Sequence, residues 1–265
     1  MVSQSIATKV EKPFLTLVFV LRLLLMAAAL VLVIVPHLLF RLAKRPSPMV
    51  MAFLNMVGWL AGLRIRTTGT RLRRDVLFIA NHISWLDILS LGGAARSAFV
   101  SKAEIGRAPL VGWLADQNHT LYVEREARRE IGHQTQQLRD ALASGRPVTL
   151  FAEGTTGNGQ GLLPFRPALF QAVIPTPPNL QVQPVFLDYG ASATDIAWLP
   201  GENGLDNFRR ILSRLKPIAL TIHYLEPLDD AVEADRKQLA DAARASILDA
   251  MTRFSHSSAD APDRL

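Results

Sequence analysis

The stretch LFIANHISWLDILSL, residues 77–91, reads as a strand that passes directly into a helix. With Val76 before it, the apolar run to Ala80 has the length and β-branched character of a strand buried on both faces. Ser84 is a good helix-start residue, and apolar positions at helical spacing follow it. A strand feeding a helix in this way is the repeating unit of an α/β fold. Between the two stand His82 and, five positions on, Asp87. Packing alone gains little from either.

Outward from this point the alternation continues. VLFIA (76–80), AFVSK (98–102), TLYVE (120–124), VTLF (148–151), VQPVFL (182–187) and ALTIHYL (219–225) have strand texture. Helical stretches fall at about 84–93, 109–116, 126–144, 166–174 and 204–214, and a last amphipathic one covers about 230–254. The pattern predicts an α/β domain over residues 66–254, with a mixed, largely parallel sheet flanked by helices. The polar residues 255–265 read as a disordered tail.

Residues 1–65 have another texture and predict an N-terminal membrane-binding helical element. Residues 23–40 carry no formal charge, and their length is close to the roughly 17–25 residues that span a bilayer core. Residues 46–63 form a second uncharged stretch, interrupted by two prolines, Asn55 and two glycines. Arg41, Lys44 and Arg45 lie between the two, and Arg64, Arg66, Arg71, Arg73 and Arg74 follow. A spanning hairpin would put the middle basic cluster on the side opposite the others, against the positive-inside tendency. Two arrangements remain: a helical pair dipping into one leaflet, or a single span through 23–40. A cleaved signal peptide fits poorly, because no small-residue cleavage site follows the long apolar run. The expected location is the cell's inner membrane, with the α/β domain on the cytoplasmic side.

Composition narrows the chemistry. Among 265 residues there is no cysteine, so disulfides, thiolate metal sites and a cysteine acyl-enzyme are excluded. The six histidines show no metal-ligand spacing, so no metal is expected. The glycine-rich GTTGNGQG (154–161) lacks the Gly-Lys-Ser/Thr ending of a Walker loop, and no cofactor is expected. No Gly-x-Ser-x-Gly elbow occurs, which argues against a serine hydrolase. The net charge of +6 calls for an anionic partner. Basic clusters beside apolar segments favour a membrane surface, and no nucleic-acid motif is present.

His82 follows a strand end, where α/β sheets bind their ligands. A histidine there can take a proton from a hydroxyl near neutral pH, provided a carboxylate orients it. On one helix an offset of five residues turns through about 140°, so His82 and Asp87 meet only if His82 precedes the helix and Asp87 lies in its first turn. A structural reading competes: Ser84 and Asp87 also have the spacing of a helix-capping pair. His119 and Glu124 repeat the offset, but inside TLYVE and its flank, where odd spacing puts them on opposite faces.

Taken together, four blocks resemble the glycerolipid acyltransferase family, of the lysophosphatidate acyltransferase type. NHISWLD (81–87) is similar to its first block, LYVER (121–125) to its second, FAEGTT (151–156) with LPFR (163–166) to its third, and VQPVF (182–186) to its fourth. FVSKAEIGRAPLVGWL (99–114) resembles the segment between the first two. The resemblance implies a thioester acyl donor, on acyl carrier protein or coenzyme A, and a lysolipid acceptor. It implies that His82 is general base, that Asp87 orients it, and that Arg125, Glu153, Gly154 and Thr155 bind the acceptor. Asn81, Lys102, Arg166 and Pro184 take supporting places. Ala152 and Thr156 stand where the family's third block usually has proline and arginine. That form resembles the lyso-ornithine lipid branch, whose acceptor has no phosphate. A non-catalytic lipid-binding protein of the same fold is the alternative from another class.

Overall fold

The computed structural model describes residues 2–123, 131–177, 179–228 and 235–259. Helices α1 (Val2–Leu42) and α2 (Met49–Leu60) precede strands β1 (Leu63–Thr68) and β2 (Val76–Ala80). Next come α3 (Leu86–Ala95), β3 (Ala98–Lys102), α4 (Ala103–Gly106), α5 (Pro109–Gln117) and β4 (Leu121–Val123). Helix α6 (Ile131–Ala143), β5 (Val148–Phe151), a 3-10 helix (Pro167–Val173) and β6 (Gln181–Asp188) follow. The chain continues through α7 (Ala193–Ile196), α8 (Gly204–Leu212), β7 (Ile218–Tyr224) and α9 (Arg236–Ala259).

The strands form one sheet in the order β1-β7-β6-β2-β5-β3-β4. Neighbours run parallel except β6 and β7. This is the mixed, largely parallel sheet the alternation predicts. Central β2 is buried at all five positions. Val76, Phe78 and Ala80 enter a core shared with Leu86, Leu91, Ile211 and Leu212. Leu77 and Ile79 enter a second core with Leu138, Leu142, Leu239 and Ile247. Helices on both faces are the reason this strand's sequence is an unbroken apolar run.

Three boundaries differ from expectation. The sheet begins at Leu63, inside the stretch read as the N-terminal segment, because Leu63 and Ile65 face inward while Arg64 and Arg66 alternate outward. Residues 167–173 form a 3-10 helix rather than an α-helix; Pro167 and Pro175 leave room for only a short turn between them. Helix α9 runs on through 255–259, the start of the expected tail, since extending a formed helix costs little.

Helix α1 is one unbroken helix, and Pro13–Leu42 is long and apolar enough to cross a membrane. It nevertheless stays on the α/β domain. Phe19, Leu23 and Met26 pack against the first core. Arg22 Nη1 donates to the Leu212 carbonyl at 3.0 Å, capping the end of α8. Buried His37 bridges Ser47 Oγ and Gln117 Oε1, both at 3.0 Å, and Arg41 donates to the same Gln117 oxygen at 2.9 Å. Its opposite side exposes Leu17, Leu21, Leu24, Val31, Leu32, Val35, Leu38 and Leu39.

Candidate active site

Strands β6, β2 and β5 are parallel neighbours, so their carboxyl ends open on the same side. Asn81 is the first residue beyond β2. Its side-chain amide donates to the Leu187 carbonyl at 3.1 Å and accepts the Leu187 N–H at 2.7 Å. The side chain thus adds one more rung to the β2–β6 ladder. It fixes the backbone immediately before His82.

His82 is held from several directions. Its N–H donates to Glu153 Oε1 and its carbonyl accepts the Gly157 N–H, both at 2.7 Å. The imidazole stacks on Phe151, ring centres 4.1 Å apart, and Phe151 stacks on Phe99. His82 Nδ1 lies 2.8 Å from Asp87 Oδ2. An ionised carboxylate only accepts, so Nδ1 carries the proton and Nε2 keeps a free lone pair. The His82 side chain is 19% exposed, enough for a substrate hydroxyl to reach it; that of Asp87 is fully buried.

Asp87 lies in the first turn of α3. Its Oδ2 also accepts the N–H groups of Ile83 at 2.7 Å and Ser84 at 3.0 Å, and its Oδ1 accepts the Tyr189 hydroxyl at 2.6 Å. The capping pair expected of Ser84 and Asp87 does not form: Trp85 occupies the N-cap with no side-chain capping hydrogen bond, and Ser84 Oγ stands 3.5 Å from the Leu86 N–H. Asp87 instead ties the turn ahead of α3 to the imidazole.

The glycine-rich stretch is a fixed cradle folded against His82. Gly154 takes the left-handed φ of +71° that turns the chain after β5, and Gly159 does the same at +78° against the backbone of Ala193. Thr155 is half-buried; the Thr156 hydroxyl donates to the Trp198 carbonyl at 2.6 Å. Glu153, expected to meet the acceptor, instead turns both oxygens inward: Oε1 onto the His82 N–H and Oε2 onto the Leu163 N–H at 2.8 Å. It is buried, at 2% exposure. Burial pushes its carboxyl up to about 7, against the pull of the two backbone donors.

The other expected residues scatter. Arg166 is exposed, and its backbone N–H donates to Ala152. Pro184 lies inside β6 opposite Ile79, short of the strand's carboxyl end, so it supports the sheet rather than the site. Lys102 ends β3 in register with Val123, and its side chain lies outside the described residues. Arg125 and Glu124 also lie outside the described residues. His119 occupies a turn after α5 with φ +58°, not the strand itself. Sequence reasoning missed Phe151 as a stacking platform and Tyr189 as a partner of Asp87. The latter follows β6 at the same sheet edge, and the strand-end rule that found His82 points to it too.

Comparison with known proteins bears on this arrangement. The Acyltransferase family model matches residues 64–188, the span from β1 to the end of β6. The lyso-ornithine lipid O-acyltransferase of Rhizobium meliloti is 35% identical over 195 residues, covering 68% of this chain and 67% of its own. The chain belongs to the acyltransferase family. The 1-acyl-sn-glycerol-3-phosphate acyltransferase of Neisseria gonorrhoeae is 30% identical to this acyltransferase over 188 residues, covering 70% and 73% of the two chains. The crystal structure of the acyltransferase PlsC from Thermotoga maritima shares the fold, with a TM-score of 0.68 at 18% identity over 97% of this chain and 99% of that one. The protein is thus an acyltransferase of the type these relatives represent, working in lipid biosynthesis.

Proposed function

We propose that this acyltransferase moves a fatty acyl group from a thioester, on acyl carrier protein or coenzyme A, to the hydroxyl of a lysolipid. The observation that carries this reading is the 2.8 Å contact of His82 Nδ1 with a fully buried Asp87 at the sheet's carboxyl edge. Nε2 of His82 takes the hydroxyl proton as the acceptor oxygen attacks the thioester carbonyl. Asp87 stabilises the imidazolium so formed. Collapse of the tetrahedral intermediate breaks the C–S bond, and the departing sulfur receives the proton from Nε2. Ester and free thiol result, with no acyl-enzyme.

The acceptor is a lyso-ornithine lipid. The relative of that name supports this, as does Thr156 at the place of a head-group arginine, its hydroxyl committed to Trp198. Lysophosphatidate is the second reading, favoured by the Neisseria relative and by Arg125 and Arg166, either of which can grip a phosphate.

The enzyme works on the cytoplasmic face of the inner membrane, with α1 lying in one leaflet. Contacts between α1 and the domain recur from Phe19 to Arg41, about 33 Å of helix axis. A helix so attached cannot stand across the bilayer without dragging polar domain surface into hydrocarbon. Trp59, 60% exposed beneath the Arg64 guanidinium, suits the membrane–water boundary.

The test is thiol release from an acyl thioester by detergent-solubilised protein, with each lysolipid offered separately. Release requires lysolipid, is faster with lyso-ornithine lipid, and disappears in His82→Ala. Undiminished turnover in that variant rules out the base, and lysolipid binding with no thiol release identifies a binding protein instead.

A further inference from the structure

Tyr189 lies outside every block that carries the family resemblance, yet it touches the candidate pair. It follows β6 directly, on the strand beside β2. The side chain is 2% exposed, and its hydroxyl donates to Asp87 Oδ1 at 2.6 Å. The two Asp87 oxygens divide their partners. Oδ2 takes the imidazole and two backbone N–H groups, while Oδ1 takes the phenol. The Tyr189 backbone is fixed as well: its carbonyl accepts the Ser192 N–H at 3.0 Å, and the preceding Asp188 accepts the Gly190 N–H at 2.8 Å. Burial, then the charge of Asp87, hold the phenol well above its ordinary pKa, so it remains a proton donor across the working range.

We propose that Tyr189 is a positioning residue for acyl transfer: its hydroxyl orients Asp87 and lowers the proton affinity of the Asp87–His82 couple. This rests on the reading of His82 as general base. With its proton the couple is neutral; without it the couple carries one negative charge. A hydrogen bond donated to the carboxylate stabilises the charged form more, so it keeps His82 unprotonated to lower pH. Only the unprotonated imidazole can accept the acceptor's proton. Among the described residues Glu153, whose carboxylate binds the His82 N–H, is a further titratable group facing the pair, and a change at Tyr189 leaves its contacts in place.

The experiment measures kcat and kcat/KM against pH for full-length enzyme in detergent, with an acyl thioester and lysolipid as substrates. Tyr189→Phe removes only the hydroxyl. Its kcat falls about tenfold, its KM for lysolipid is little changed, and the acid limb of kcat/KM moves up by about one pH unit. A structural role lowers the yield of folded protein or its melting temperature but leaves the limb in place. An unmoved limb, with or without loss of activity, therefore overturns the proposal. If Tyr189→Phe does not fold, site-specific 3-fluorotyrosine at 189 retains the hydroxyl as a stronger donor. It must move the limb to lower pH, and an unmoved limb again overturns the proposal. His82→Ala separates the two claims. Turnover retained there sinks the general base itself. Turnover abolished there, beside an unmoved limb in Tyr189→Phe, sinks the role of Tyr189 alone.

Discussion

Asp87 does three things with two oxygens: it holds the turn ahead of α3, receives the imidazole and receives a phenol. A carboxylate is needed because every partner donates. In Asp87→Asn one oxygen becomes an NH2 group, which must then face a donor in a fully buried place. Loss of the imidazolium's counter-charge adds to this. Steady-state kinetics of Asp87→Asn should show kcat reduced roughly 10²–10⁴-fold with KM for lysolipid little changed. A variant with near-normal kcat would mean that the carboxylate serves the fold of the turn ahead of α3 and not the chemistry.

Among the elements, the β5 loop is the one that binds the site together. Glu153 ties its own strand end to the His82 backbone and to the returning chain at Leu163. Its burial has a consequence for stability. The carboxyl titrates near 7 in the folded enzyme, above its ordinary value of 4.5. Between those two values the folded state binds the extra proton, so this group's contribution to stability falls as pH rises through the window, by at most about 1.4 kcal/mol per pH unit. Glu153→Gln removes the slope, while its amide turns a donor toward one of the two N–H groups at a cost of about 1–3 kcal/mol. Chemical denaturation at pH 5 and at pH 7 should find the wild type's advantage over Glu153→Gln smaller at pH 7. An advantage that grows with pH would contradict a raised carboxyl.

The molecule as a whole presents an apolar helix face on one side and a half-open imidazole at the sheet's carboxyl edge. If α1 lies in a single leaflet, Lys9, ahead of the apolar stretch, stays on the cytoplasmic side with the domain; if α1 spans, Lys9 is on the far side. The chain has no cysteine, so Lys9→Cys is a unique probe. A membrane-impermeant maleimide should label it in inverted inner-membrane vesicles and not in intact spheroplasts; the reverse pattern would mean that α1 spans. The sequence by itself determined the α/β alternation, because strands buried on both faces must be continuously apolar. It also pointed to the His82–Asp87 pair, because a five-residue offset can close across a strand-to-helix turn and the four resembling blocks favoured that reading over helix capping. Only the tertiary structure decided the rest. Leu63–Thr68 joins the sheet although its short alternation of apolar residues and arginines runs straight on from the apolar segment before it. Glu153 faces inward, and Tyr189 reaches Asp87 across 102 residues of chain. These depend on β6, β2 and β5 lying side by side. Strand order is set by how the two cores pack, and no local spacing reports it.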